Sequence, residues 1–157
     1  TAVDLYPTIC EITGGQINKE HNLDGISLIP LLKEKEIKER SLYWHFPAYL
    51  QSYKRYNEQP DPLFRARPCG VIRKGKWKLI EYFEDGRTEL FNLDTDISES
   101  KNLATDHPEI ASSLRSTLSK WRNQVKAPVP TQPNPKFDQE AEQKAINELH
   151  KRNRDKK

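Results

Sequence analysis

The stretch Cys69 to Leu93, "CGVIRKGKWKLIEYFEDGRTELFNL", limits the fold of this chain more than any other. Its apolar residues alternate with polar ones, and the alternation is broken twice by glycine-bearing turns, so it reads as three strands joined by two hairpins. Asp85-Gly86 predicts a two-residue type I′ turn, because that turn needs positive φ and glycine supplies it cheaply. Trp77, Leu79 and Phe83 share one strand face, and Ile80 and Tyr82 share the other. Lys74 and Lys76 flank the first hairpin as solvated turn residues. A fourth strand is expected in "LYWHF", where Leu42, Trp44 and Phe46 fall on one face, assigned to the core, and Tyr43 and His45 fall on the other.

A helix over 107–126 follows from Ile110, Leu114, Leu118, Trp121 and Val125, which recur at helical spacing and can cover one face of a sheet. Asp106 is its expected N-cap, with Pro108 in the first turn and Glu109 completing a capping box. A single helix covers one face only. The other face, which also carries large apolar groups, is expected to be covered by chain outside this sequence. The fold class is therefore α+β: about four antiparallel strands packed by a long C-terminal helix and preceded by short helices. Residues 1–40 form the leading segment. It holds a short helix with Asp4 near its start and Pro7 in its first turn, closed by Gly14-Gly15, then a turn at Asp24-Gly25. A one- or two-turn apolar segment capped by Ser27 comes next, and "KEKEIKER" is a solvated connection. Residues 41–126 form the sheet-and-helix domain, in which "YLQSYKRYNEQPDPLFRARP" reads as a long loop. Residues 127–157 begin with the proline-rich arm "APVPTQPNP" and end in a basic tail that is helical but frays, with Ala141, Ala145, Ile146 and Leu149 on a narrow stripe. No internal repeat occurs.

Composition excludes several classes. Only 34% of the 157 residues are hydrophobic, below the roughly 45–50% of ordinary soluble domains, so the core is thin or is completed by a partner. The last eight residues hold five Lys/Arg and one Asp, so the formal charge of +3 leaves −1 for the rest of the chain. A terminal basic run without a basic folded face argues against nucleic-acid binding. No apolar run approaches the length of a membrane span. Cys10 and Cys69 allow one disulfide or none and assign no redox compartment. The absence of methionine, together with an opening that starts in mid-pattern, suggests a fragment of a longer protein.

Motif by motif, the residues assemble no catalytic centre. "CGVIR" has the outline of a cysteine followed by arginine four residues later, but it carries Val71 in the middle and reads as a strand, which makes Cys69 structural. "DTDIS" puts oxygens at Asp94, Asp96 and Ser98, yet Glu99 stands where a calcium loop needs glycine and Thr105 where it needs glutamate, so an Asx-type turn is expected. His21, His45, His107 and His150 have no H-x-x-x-H spacing, and no metal site is indicated. Of these, His45 alone is flanked by rings and could face a cleft.

Six phrases carry a resemblance. "DLYPTICEITGG", "LDGISLIPLL", "LYWHFPAY", "GVIRKGKWKLIEYFEDGRTELFNLDTDISESKNLA", "HPEIASSLRSTLSKW" and "APVPTQPNP" resemble, in order, the C-terminal third of the formylglycine-dependent sulfatases of the alkaline-phosphatase superfamily. The resemblance implies the end of a large α/β domain followed by a small C-terminal subdomain. The enzyme so implied hydrolyses aryl or glycan sulfate esters, using a formylglycine nucleophile and a calcium ion held in an N-terminal domain. The C/S-x-P-x-R nucleophile motif and the calcium carboxylates have no match here, so no catalytic or metal residue is carried over and no cofactor is expected in this chain, which alone should be inactive. What carries over is substrate contact: His45 at the cleft rim, then Tyr49 and Arg65 or Arg67 from the long loop, rings and guanidinium forks that suit a sulfated sugar. The implied partners are the N-terminal sulfatase domain and a sulfated small molecule or glycan, and the implied location is periplasmic or secreted. Two other readings remain: a non-catalytic carbohydrate- or polyanion-binding module, and a fragment of a related phosphodiesterase or phosphonate hydrolase.

Overall fold

The computed structural model describes residues 1–18, 20, 22–51, 63–132 and 134–154. His21, the middle of the long loop and the last three residues of the basic tail lie outside the described residues. Two compact units result, Thr1–Arg40 and Ser41–Lys157.

In the first unit a 3-10 turn, Ala2–Asp4, runs into α1 (Leu5–Thr13), and a second short helix, α2 (Ile29–Leu32), follows. Gly14 ends α1 in the left-handed region at φ 69°, the usual use of glycine past a helix end. The unit is organised around a buried carboxylate. Asp4 Oδ1 accepts hydrogen bonds from the Ile26 amide and the Arg40 guanidinium, and Oδ2 accepts one from the Thr1 amino group. Burial alone would raise its pKa, but these donors outweigh it and hold the Asp4 carboxyl well below the carboxylate range. Arg40, expected in a solvated connection, is thus folded back as a counter-ion. Gly25 is required because a Cβ there would lie 1.9 Å from the Val3 carbonyl oxygen. Ser27 accepts from the Ile29 amide at 3.2 Å, but the N-cap of α2 is Leu28. Pro30 in the first turn sets the helix start one residue later than the side-chain pattern suggested.

The second unit contains a four-stranded antiparallel sheet in the order β1-β4-β5-β6, built from β1 (Ser41–Phe46), β4 (Cys69–Lys74), β5 (Trp77–Tyr82) and β6 (Thr88–Asn92). A separate two-stranded ribbon pairs β2 (Leu50–Gln51) with β3 (Phe64–Ala66). These short strands lie in the stretch read as loop; two or three residues are too few to establish a visible period. Helix α3 (Pro108–Gln124) packs on one sheet face, and α4 (Gln139–Arg154) ends the described chain. The core is Ile72, Leu79, Leu90, Ala111, Leu114 and Leu118, with Tyr43, Trp77, Ile110 and Trp121 packed around it. Each fully buried leucine or isoleucine contributes about 1.5–3 kcal/mol.

Three local expectations fail. The β5–β6 connection is longer than two residues: the Tyr82 amide bonds the Arg87 carbonyl, the Gly86 amide bonds the Tyr82 carbonyl, and only Gly86, not Asp85, has positive φ. One left-handed residue closes a four-residue loop, whereas type I′ needs two. Helix α3 takes His107 as N-cap, with no side-chain cap bond. Pro108 occupies the first helical turn, and Asp106 instead forms an ion pair with Lys101 at 3.3 Å.

Third, β1 is turned over relative to its expected facing. Tyr43 stands opposite core residue Ile72 and His45 opposite Gly70, so the Tyr43/His45 face meets α3. The Tyr43 ring stacks on Trp121 at 4.7 Å with 3° between planes. Leu42, Trp44 and Phe46 lie on the opposite face, where Trp44 is 46% and Phe46 37% exposed. Alternation fixes which residues share a face but not which face is covered; register against the helix-packed strand decides that. At its β6 edge the open face is closed, with Phe91 buried and Lys78 bonded to Glu99.

Candidate functional site

Phe46, Cys69 and Tyr82 stand level across β1, β4 and β5. The exits of β1 and β5 and the entry of β4 therefore meet at one end of the sheet, and the candidate contact residues collect there. His45 lies beside Phe83, with ring centroids 5.3 Å apart, and its Nε2 is 2.7 Å from the Pro128 carbonyl oxygen. A carbonyl oxygen only accepts, so Nε2 carries the hydrogen in this bond. Nδ1 is buried and has no hydrogen-bond partner among the described residues. A buried polar atom without a partner is uncommon enough to mark a place where a ligand, water or further protein group belongs. The Arg122 guanidinium lies over the other ring of this group, 5.1 Å from the Phe83 centroid.

Next to Phe83, Glu84 gathers the rest. Its carboxylate accepts the Tyr49 hydroxyl at 2.6 Å and Arg67 Nη1 at 3.0 and 3.1 Å. The Tyr49 and Phe64 rings meet at 4.8 Å, and Arg67 lies 5.0 Å above the Phe64 ring. Arg67 Nη2 is also 3.6 Å from a Glu142 carboxylate oxygen on α4. Desolvation of its hydroxyl, then the hydrogen bond to Glu84, push Tyr49 up to about 12. The structure thus assembles His45, Tyr49 and Arg67 near one sheet end. Arg65 is exposed and makes no ion pair or ring contact among the described residues.

Phe83 was read as a strand residue beside Trp77 and Leu79 but lies just past the end of β5, and Glu84, Pro128 and Glu142 were not singled out in the sequence. Glu84 sits in the loop before Gly86 without a signal of its own, Pro128 acts through its main chain, and Glu142 acts through a fold-back that no local pattern encodes.

Two other motifs have structural roles. The Cys69 thiol, half-buried in β4, is pushed up by desolvation, the opposite of what a thiolate nucleophile requires. Cys10 and Cys69 are both free thiols. Asp96 accepts bonds from the Ser98 and Ser100 hydroxyls and the Lys101 amide, which closes an Asx-type loop between β6 and α3. The Lys101 and Ser100 amides lower its pKa to about 2. No group of three or more His, Cys, Asp or Glu able to hold a metal occurs among the described residues, and no helix among them is long and apolar enough to cross a membrane. In chemical terms the sheet end gathers ring faces, a guanidinium paired with Glu84 and Glu142, a phenol bonded to Glu84, and an imidazole whose Nδ1 has no partner among the described residues.

A family model described as N-sulphoglucosamine sulphohydrolase, C-terminal, matches residues 1–124. Arylsulfatase K of Mus musculus is 34% identical over 119 residues, which cover 74% of this chain and 20% of that protein. A sulfatase of Formosa agariphila is 29% identical over 136 residues, covering 80% and 23%. Among solved structures, a 2-O GAG sulfatase superposes with a TM-score of 0.55 at 27% identity, covering 79% of this chain and 25% of that one. The chain spans about a fifth to a quarter of the length of these relatives.

Proposed function

The chain belongs to the N-sulphoglucosamine sulphohydrolase C-terminal family, and from that premise we propose that it is the C-terminal subdomain of a longer sulfatase acting on aryl or glycan sulfate esters. In this reading the subdomain forms one wall of the substrate pocket and selects the alcohol part of the ester. The observation that carries it is the convergence of His45, Tyr49 and Arg67 at one sheet end, with His45 Nδ1 buried and unpartnered among the described residues. With the hydrogen on Nε2, that nitrogen can accept a hydrogen bond from a sugar hydroxyl.

Calcium and formylglycine belong, in this proposal, to the part of the protein that precedes Thr1. The described residues do not fit a metal, and no bond-breaking step is assigned to them. The same preceding part is the proposed partner of the open sheet face at Trp44 and Phe46, and the proposed location is periplasmic or secreted.

The test compares the longer protein on 4-nitrophenyl sulfate, a 2-O-sulfated glycosaminoglycan disaccharide and bis(4-nitrophenyl) phosphate. Sulfate ester hydrolysis is expected, and faster cleavage of the phosphodiester would replace this reading with the phosphodiesterase one. His45→Ala should raise KM for the disaccharide about two- to tenfold, the worth of a neutral hydrogen bond. An unchanged KM removes His45 from the substrate wall. The chain alone should hydrolyse neither sulfate.

A further inference from the structure

The family match ends at residue 124, but the chain then folds back onto the residues just described. After α3, Lys126 takes a left-handed conformation at φ 53°, and the Ala127 amide bonds the Arg122 carbonyl. This reversal brings the Pro128 carbonyl to His45 Nε2 at 2.7 Å. Further on, α4 brings Glu142 to Arg67 at 3.6 Å, beside Tyr49. The extension therefore touches two of the candidate contacts, His45 at Nε2 through a carbonyl oxygen and Arg67 at Nη2 through a carboxylate, while Arg67 Nη1 stays on Glu84.

We propose that this extension, residues 127–132 together with α4, is a displaceable strap across the substrate end of the sheet, in which the Glu142 carboxylate takes the position on Arg67 that an anionic group of the substrate occupies. The inference rests on the sulfatase reading. Carboxylate and sulfate ester both accept hydrogen bonds from a guanidinium, so the internal acid and the substrate compete for Arg67 Nη2, the nitrogen that Glu84 does not take.

The packing of α4 makes displacement cheap. None of its described side chains is buried, and its apolar stripe at Ala145, Ile146 and Leu149 is only partly covered. Elements with few buried contacts open at low free energy. The Arg67–Glu142 pair is long and partly exposed, with side-chain exposures of 20% and 25%, and pairs of this kind contribute at most about 1 kcal/mol. Such a pair can bias substrate affinity without blocking it.

Steady-state kinetics of the longer protein on the 2-O-sulfated glycosaminoglycan disaccharide test this. Glu142→Gln should lower KM about two- to fivefold with kcat unchanged, the equivalent of that pair energy, and the difference should shrink at high salt. Deletion of residues 127–157 should lower KM about as far, since it removes Glu142 together with the helix that carries it. A Glu142→Gln KM equal to or above that of the unaltered protein overturns the strap. So does a raised KM in the deletion variant, because the extension would then contribute to binding. If the unaltered protein hydrolyses neither sulfate, the sulfatase reading itself fails and the strap with it, and that outcome is visible before any variant is made.

Discussion

Glu84 receives both a phenol and a guanidinium on one carboxylate, and the phenol reports on its presence. Tyr49 is pushed up to about 12, first by desolvation and then by the bond to Glu84, against an ordinary value near 10. The neutral phenol is the favoured form in the fold. It therefore contributes stability that is fully present below about pH 10 and is lost as pH rises through about 12. Glu84→Gln should bring the Tyr49 titration back toward 10, read as tyrosinate absorbance in the difference between each protein and its Tyr49→Phe counterpart. An unshifted difference curve would mean that desolvation alone sets the value. The ring and fork beside this acid were legible in the sequence as residue types: Tyr49 was named, with Arg65 or Arg67 as the fork, and the structure selects Arg67. The acid that joins them was not, because it sits in a four-residue loop that the Asp85-Gly86 pair had suggested was a two-residue turn.

Helix α3 docks on the sheet through apolar contacts and through one buried charge. Glu81 is 6% exposed, and its two oxygens accept from Arg115 Nε at 2.7 Å and from Arg122 Nη1. The helix lies close here because β4 offers Gly70, where a Cβ would stand 3.1 Å from an Arg122 nitrogen and 3.4 Å from the Leu118 side chain. Removing one member of a buried pair leaves the other charge uncompensated. Glu81→Ala should therefore cost about 3–5 kcal/mol in denaturant unfolding of the chain, whereas Glu81→Leu combined with Arg122→Met should cost much less. If the single and double variants are equally unstable, the pair is not what ties helix to sheet. The sheet, its three-strand core and the helix were legible because each holds its period over five or more residues. The ionic tie was not read from the sequence: Glu81 shares a strand face with Leu79, and Arg115 and Arg122 sit seven residues apart on the helix, but nothing in either pattern says that they meet. The ribbon β2–β3 and the facing of β1 were beyond reach, since one is too short to show a period and the other depends on register with a distant strand.

Apolar surface remains open on each compact unit taken separately. Leu5, Ile9 and Ile12 are exposed on α1, and Trp44 and Phe46 on the sheet. A chain with 34% hydrophobic residues has few to leave in water, and two neighbouring rings on one sheet face make an apolar patch of the kind that docking surfaces use. The proposed cover is the preceding part of the longer protein, and Trp44 reports on it because its environment would differ between the two contexts. In the isolated chain Trp44→Ala removes a half-exposed ring and should cost about 1 kcal/mol or less, as for other surface substitutions. In the longer protein the same substitution would open a cavity between layers and should cost about 3–5 kcal/mol, the usual range for a buried aromatic truncated to alanine. Unfolding midpoints of both proteins with and without the substitution measure the difference. Equal costs in the two contexts would mean that the Trp44 face stays in solvent in the longer protein, and the domain that completes this sheet would then have to dock elsewhere.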